Sequence, residues 1–381
     1  MEYASLIIRA CYVGLSIYPP LLFKLFNPLF ALPSLGDRIG LPELSMNDPR
    51  YIQMQHWLST LPKAHQIDPA SAHSASADAS FRRYFRVQAG EQTRIVMDAP
   101  APQEDTRPFI AVSHALAVTG VTVPHVFEAD TSQGYLLLSD LGHTTYLDVL
   151  SADTAQALYR DAIDALITFQ SKGDANGLPQ YDNALLHREL DLYPDWYIAR
   201  HKNRVLDAKQ LTALQSTFAV ILANNLAQPK VFVHRDYHSR NLMLLQDGNP
   251  GILDFQDAVC GPITYDLVSL LRDAYIRWEE EQVIDWVVRY WEQARKAGLP
   301  VATDFSVFYR DFEWMGLQRH LKILGIFARL NYRDGKSRYL DDMPLVLSYV
   351  VRVCERYNDL APLHHLIRQV ENTQSSTGLT F

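Results

Sequence analysis

The chain has 381 residues, of which 48% are hydrophobic and 20% charged, and its formal net charge is −8. This length is enough for two domains or lobes around a large core, and the composition is that of a soluble, mildly acidic globular protein. It excludes a basic field spread over a whole face, and with it general nucleic-acid binding, but leaves room for a local basic pocket.

Residues 1–45 differ from the rest of the chain. The run 10–23 is uncharged and mostly apolar, Lys24 interrupts it, and Pro19, Pro20, Pro28 and Pro33 break it. A membrane-spanning helix wants about 20 continuous apolar residues, which this run does not reach. A signal peptide wants a basic start, and here Glu2 precedes the first positive charge, Arg9. Three readings stay open: a poorly cleavable targeting segment, a monotopic anchor, or translation from a start codon upstream of the true one. The last is favoured, because Met46-Asn47-Asp48 opens an ordinary soluble pattern. Weak membrane association is expected only if residues 1–45 are translated. A chain beginning at Met46 is therefore expected to keep the turnover of the full chain. Loss of folding or of kcat on that truncation would show that the segment packs on the body.

Residues 49–61 read as a short helix with Tyr51, Met54, Trp57 and Leu58 on one side, ended by Pro62. A Ser- and Ala-rich stretch, 71–80, leads into a strand at 81–87 that mixes aromatic and basic groups. Ala89-Gly90 turns the chain and 93–97 pairs back. Residues 105–119 form a helix closed by Gly120, and 121–128 lead into a strand. A second strand at 134–139 is broken by Asp140-Leu141-Gly142. From Ser151, an N-cap by residue type, the pattern turns helical through Leu158, Ala162, Leu166 and Ile167. After a loop at 172–177, Leu211, Leu214, Phe218, Ile221 and Leu222 mark another helix. Further helices are expected near 279–297, 305–329 and 344–356, and 371–381 reads as a frayed tail. Cys11, Cys260 and Cys354 have no metal-ligand spacing, and an odd count gives no disulfide framework. They favour a reducing compartment and hence the cytoplasm.

The chemistry concentrates at 231–255. Val231-Phe232-Val233 is a short buried strand, followed by His234-Arg235-Asp236-Tyr237-His238-Ser239-Arg240-Asn241. The apolar run 242–245, the turn Asp247-Gly248-Asn249-Pro250 and a returning strand 251–255 that carries Asp254 complete the stretch. The polar groups thus sit at the open ends of a hairpin. Phosphoryl transfer from ATP needs a carboxylate to orient the attacking hydroxyl and take its proton, and oxygen ligands to hold Mg2+ on the phosphates. Asp236 is the candidate base. Asn241, five positions on, and Asp254, thirteen further, are the candidate metal ligands. The pattern H-R-D-x-x-x-x-N with a following Asp is the kinase-like catalytic loop. His234 is expected to be structural. So is Asp266, which heads the apolar run 267–271 and is expected to cap that helix and bond back to the loop.

This set, with Gly-Pro-x-x-Tyr-Asp-Leu at 261–267, resembles the aminoglycoside phosphotransferase family. Members often carry His-Gly-Asp where this chain has His234-Arg235-Asp236. Within the family it is most similar to the bacterial cell-wall amino sugar kinases, on the segments 96–100, 138–142, 189–197 and 318–330. The resemblance covers roughly residues 47–370. It implies an α+β, two-lobed, protein-kinase-like fold, with a small β-rich N-lobe at 46–140 and a larger helical C-lobe at 141–370. It implies transfer of the ATP γ-phosphate to the anomeric C1 hydroxyl of N-acetylmuramate or N-acetylglucosamine. The α-1-phosphate product would pass to a uridylyltransferase for peptidoglycan recycling, with no obligate protein partner.

In such a lobe the Ser- and Ala-rich hairpin would cover the nucleotide phosphates. There is no G-x-G-x-x-G, so Ser74 to Ser80 would have to allow the close backbone approach, with Arg82 or Arg83 adding charge. The usual N-lobe lysine is missing from 93–100, and Arg82, Arg83 or Arg94 is its expected substitute. Ser139, Asp140 and Leu141 are the expected adenine edge. For the sugar, Glu189, Asp191, Asp195 and Trp196 offer hydroxyl partners and an apolar shelf. Trp314, Gln318, Arg319 and Lys322 share one helical stripe, and Arg319 or Lys322 could meet a lactyl carboxylate or the phosphates. The rival readings are a kinase for an aminoglycoside, choline or homoserine, favoured weakly by Glu279-Glu280-Glu281, and a non-catalytic nucleotide-binding scaffold.

Overall fold

The computed structural model describes residues 48–76, 82–101 and 103–371. The expectations for residues 1–45, Ser80 and the tail beyond 371 lie outside the described residues.

Asp48 starts the first helix, α1 (Pro49–Thr60). Its carboxylate accepts from the Arg50 N–H at 2.9 Å, and Pro49 presets the first helical turn. Met54, Trp57 and Leu58 are its buried residues. The helix packs beside an antiparallel sheet of order β1-β2-β3-β5-β4, formed by β1 (Ile67–Ser76), β2 (Arg83–Ala89), β3 (Gln92–Asp98), β4 (Val126–Asp130) and β5 (Tyr135–Ser139). Gly90 makes the β2–β3 turn at φ +63°, a conformation glycine takes without steric cost. β5 is buried from Tyr135 to Leu138, as its unbroken apolar run requires. Between β3 and β4 lies α2 (Arg107–Ala117), whose Phe109 ring packs on Phe255, next to Asp254.

The rest is mainly helical: α3 (Tyr146–Val149), α4 (Ala155–Lys172), α5 (Asn183–Leu192), a π-helix (Tyr193–His201) and α6 (Ala208–Ala227), then α7 (Tyr265–Leu271), α8 (Glu280–Lys296), α9 (Phe305–Asp334), α10 (Met343–Arg356) and α11 (Ala361–Val370). This is the expected α+β fold of two lobes. α9 is its axis and packs on α5, the π-helix, α6, α7 and α10. It passes the end of α5 at Gly325, where a Cβ would sit 2.3 Å from the Leu192 carbonyl oxygen, so only glycine allows that approach.

Some local expectations change. Ser151 makes the bonds of a capping residue one turn early: its hydroxyl accepts the Thr154 N–H at 3.3 Å and its N–H donates to Thr154 Oγ1 at 2.9 Å, while Thr154 holds the N-cap position of α4, which begins at Ala155. Asp266 is not a cap, since Thr264 holds that position and Asp266 lies inside the first turn. Between α6 and α7 run β6 (Lys230–Val233), β7 (Leu242–Met243), β8 (Gly251–Ile252) and β9 (Val259–Pro262). β6 pairs with β9, and β7 with β8. The strands expected at 242–245 and 251–255 are therefore short. The Leu244 N–H donates to the Thr144 carbonyl and the Leu245 N–H to the Asn249 side chain, while the Leu253 N–H turns to the Asn241 carbonyl.

Candidate active site

The catalytic stretch is tied down at both ends. The Asp266 carboxylate accepts the His234 and Arg235 N–H groups at 2.7 and 2.9 Å, the bond back to the loop expected from the sequence. Burial pushes its carboxyl up to about 7, against the pull of those two bonds. Asp273 accepts the Ser239 N–H and hydroxyl at 3.0 and 2.5 Å. His234 is fully buried. Its Nε2 lies 2.9 Å from the Leu253 carbonyl, and its Nδ1 accepts the Asp236 N–H at 3.2 Å. Donor at one nitrogen and acceptor at the other, the ring is a neutral imidazole, and burial lowers its pKa to about 4.

These bonds bring the three chemical candidates together. The Asn241 side-chain amide donates to the Asp236 carbonyl at 2.9 Å, which leaves its oxygen for another partner. The Leu253 N–H donates to the Asn241 carbonyl, placing Asp254 beside Asn241, and both line one cleft. Arg235 (φ +79°) and Asp254 (φ +62°) hold left-handed backbone, which costs of order 1–3 kcal/mol at a non-glycine residue and persists only where the surroundings enforce it. An acidic oxygen and an amide oxygen on one rim suit Mg2+, which takes few protein ligands and completes its shell with water and phosphate. Among the described residues there is no group of three His, Cys, Asp or Glu placed to hold a metal, and a phosphate-bridged magnesium does not need one.

The same cleft is lined by Ser139, Asp140 and Leu141. Asp140 is bound in its own lobe, accepting from Arg86 at 2.6 and 3.0 Å and from Thr93 at 2.6 Å. Leu141 differs: among the described residues neither its N–H nor its C=O enters a hydrogen bond. Strand alternation separates the two arginines that the sequence left equivalent. Tyr84 and Arg86 line the cleft, so Arg82 shares their parity and Arg83 faces the other side. The Arg83 guanidinium is bound by Asp48 and Asp98, and Arg50 also holds Asp98. Arg82 pairs with Glu104 at 2.9 Å, and the charge of Asp254 acts on it. Arg94 lies over the Phe127 ring, 4.5 Å from its centroid.

Beneath Asp236 lies a buried ion cluster. Glu189 of α5 accepts from Arg235 Nη2 at 2.6 Å, from Lys322 Nζ of α9 at 2.9 Å, and from the Tyr181 hydroxyl. Lys322 also donates to the Tyr265 hydroxyl at 3.1 Å. Burial pushes the Asp236 carboxyl up, but Lys322, His238, Arg319 and Arg235 outweigh it and hold it below the ordinary carboxylate range. Glu189 is thus bonded to the catalytic loop and to Lys322, and the charge of Arg319 reaches Asp236. The other expected sugar contacts do not bond to the loop. Asp191 pairs with His187 at 3.1 Å, Asp195 is exposed, and Trp196 is a half-buried side chain packed against the core. Trp314 is buried edge-on against Tyr357, and Gln318 donates to the Leu186 carbonyl at 2.9 Å. Sequence reasoning passed over Tyr84 and Arg86 at the cleft, Glu104, which pairs with Arg82, and Asp273, which lies just past the end of α7.

The profile of the phosphotransferase enzyme family matches residues 71–303. The chain is 48% identical over 328 residues to an N-acetylmuramate/N-acetylglucosamine kinase of Pseudomonas aeruginosa, a match covering 84% of this chain and 97% of that protein. It is also 48% identical over 338 residues to the enzyme of the same name from Neisseria meningitidis serogroup B, covering 87% and 99%. Among solved structures it is similar to a choline kinase from Streptococcus pneumoniae, with a TM-score of 0.55 and 11% identity over 79% of this chain and 98% of that one, a likeness of fold alone.

Proposed function

The chain belongs to the phosphotransferase enzyme family, and from that premise we propose that it is an ATP-dependent kinase of N-acetylmuramate and N-acetylglucosamine, placing the phosphate on the anomeric C1 hydroxyl. The observation that carries this reading is the 48% identity, over nearly their whole length, to enzymes named for those two sugars. The product is the α-1-phosphate, which a uridylyltransferase would consume in cell-wall precursor recycling in the cytoplasm.

In this reading the adenine edge meets the backbone N–H and C=O of Leu141, which bond to none of the described residues. Asn241 and Asp254 would hold Mg2+ on the phosphates; bound there, the ion supplies charge neutralisation for the transferring phosphoryl group. Arg82 is our candidate for the phosphate contact that a lysine makes elsewhere, because it has the parity of the cleft-lining Tyr84 and Arg86 and feels Asp254. Asp236 holds the C1 hydroxyl and takes its proton. A carboxylate kept below its usual range is a weak base, so much of its contribution is orientation. The anomeric hydroxyl, more acidic than an ordinary alcohol, suits such a base.

ADP release should be measured over a panel of both amino sugars, an aminoglycoside, choline and homoserine. Turnover is expected with the amino sugars. A preference for choline or an aminoglycoside, or no turnover with any acceptor, would contradict the proposal. Asp254→Asn is expected to weaken magnesium-dependent ATP binding as well as turnover, since it removes charge beside the metal rather than beside the sugar. Calorimetry with ATP and magnesium checks it, and parental nucleotide affinity in this variant would remove Asp254 from the metal site.

A further inference from the structure

The three cations beside Asp236 are not equivalent. Arg235 and Lys322 both have a carboxylate partner, Glu189, at hydrogen-bond distance. Arg319 has none among the described residues: it is 3% exposed, and its Nε and Nη1 meet no hydrogen-bond partner there. It projects from α9 one helical turn before Lys322, and its charge acts on Asp236, on His238 and on Asp266. The buried Nδ1 of His238 also meets no partner. The Asp236 carboxylate lies in the field of Arg319 but bonds to neither nitrogen, and a buried N–H donor without a partner costs stability, so these donors are open to an incoming anion. A guanidinium fork matches the two oxygens of a carboxylate or phosphoryl group.

We propose that Arg319 is the oxyanion seat on the acceptor side of Asp236, receiving either the lactyl carboxylate of N-acetylmuramate or the phosphoryl group in transfer. Lys322 is excluded from that task because Glu189 and the Tyr265 hydroxyl already engage it. The inference rests on the kinase reading and adds to it which side chain meets the anion.

The test compares R319M, R319K and the parental chain with N-acetylmuramate, which bears the carboxylate, and N-acetylglucosamine, which lacks it. If the seat takes the acceptor carboxylate, R319M raises KM for N-acetylmuramate about 10- to 100-fold relative to N-acetylglucosamine. If it takes the phosphoryl group, kcat falls by a similar factor for both sugars. R319K, which keeps the charge without the fork, restores part of either loss. Because methionine removes two buried donors without partners along with one of several cations near Asp236, R319M is expected to melt near the parental Tm. Kinetics within twofold of the parent on both sugars, or a lowered Tm with no acceptor-dependent effect, would overturn the proposal. Titration with inorganic phosphate keeps the test independent of turnover. Should the parental chain phosphorylate neither sugar, the kinase reading fails, and equal phosphate affinity of parent and R319M then overturns the seat as well.

Discussion

Asp236→Asn is expected to lower phosphoryl transfer about 10²- to 10⁴-fold while leaving affinity for ATP with magnesium near the parental value. The amide keeps the size of the carboxylate and the loop that carries it, whose anchors are backbone bonds to Asp266, Asp273 and His234 rather than the Asp236 side chain. What disappears is the charge that holds the C1 hydroxyl and receives its proton. Because Lys322, His238, Arg319 and Arg235 already hold the carboxyl below its usual range against burial, orientation carries much of the effect, and the loss should fall toward the low end. Single-turnover rates and calorimetry separate the two quantities. A variant that lost nucleotide affinity yet transferred phosphate at nearly the parental rate would remove Asp236 from the role of base.

Glu189→Leu has the largest expected effect on stability, a loss of about 3–5 kcal/mol. Glu189 is the shared acceptor of Arg235, Lys322 and Tyr181, and its side chain is 7% exposed. Leucine fills the volume but leaves two buried cations without the carboxylate that is hydrogen-bonded to both, and breaking a buried pair from one side is far costlier than an absent pair. Chemical denaturation of parent and variant checks this. A side chain whose task was to touch the sugar would behave differently: parental stability with a raised sugar KM would contradict the structural role of Glu189.

The catalytic stretch was legible because its chemistry fixes residue types at fixed spacings: a base, a ligand five positions on, and a second ligand across a turn. Most of the sheet was legible as well, since β3 and β5 carry apolar runs bounded by turn residues and β2 mixes aromatic and basic groups, whereas β1, read only as a Ser- and Ala-rich stretch, was not. Two readable signals went unused. The alternation 82, 84, 86 gives Arg82 the parity of Tyr84 and Arg86, which line the cleft, while Arg83 turns to Asp48 and Asp98. The spacing of Leu363, Leu366, Ile367 and Val370, all buried, is that of a helix, and α11 is there. The ion cluster is of another kind. Glu189 and Lys322 meet only because α9 crosses α5, and no local periodicity links residues so far apart in the chain. The same holds for β7 and β8, whose two-residue lengths follow from bonds to Thr144 and Asn249 rather than from their own apolar runs.

The central claim is that the phosphate arrives on C1 of an N-acetyl hexosamine. It is tested most directly by incubating the full-length chain with ATP, magnesium and N-acetylmuramate or N-acetylglucosamine and locating the phosphorylated carbon by phosphorus–carbon coupling in NMR spectra of the product. The account predicts coupling to C1 in the α configuration for both sugars. Phosphate on C6 or any other carbon, or ATP consumed with no phosphorylated sugar formed, would contradict it.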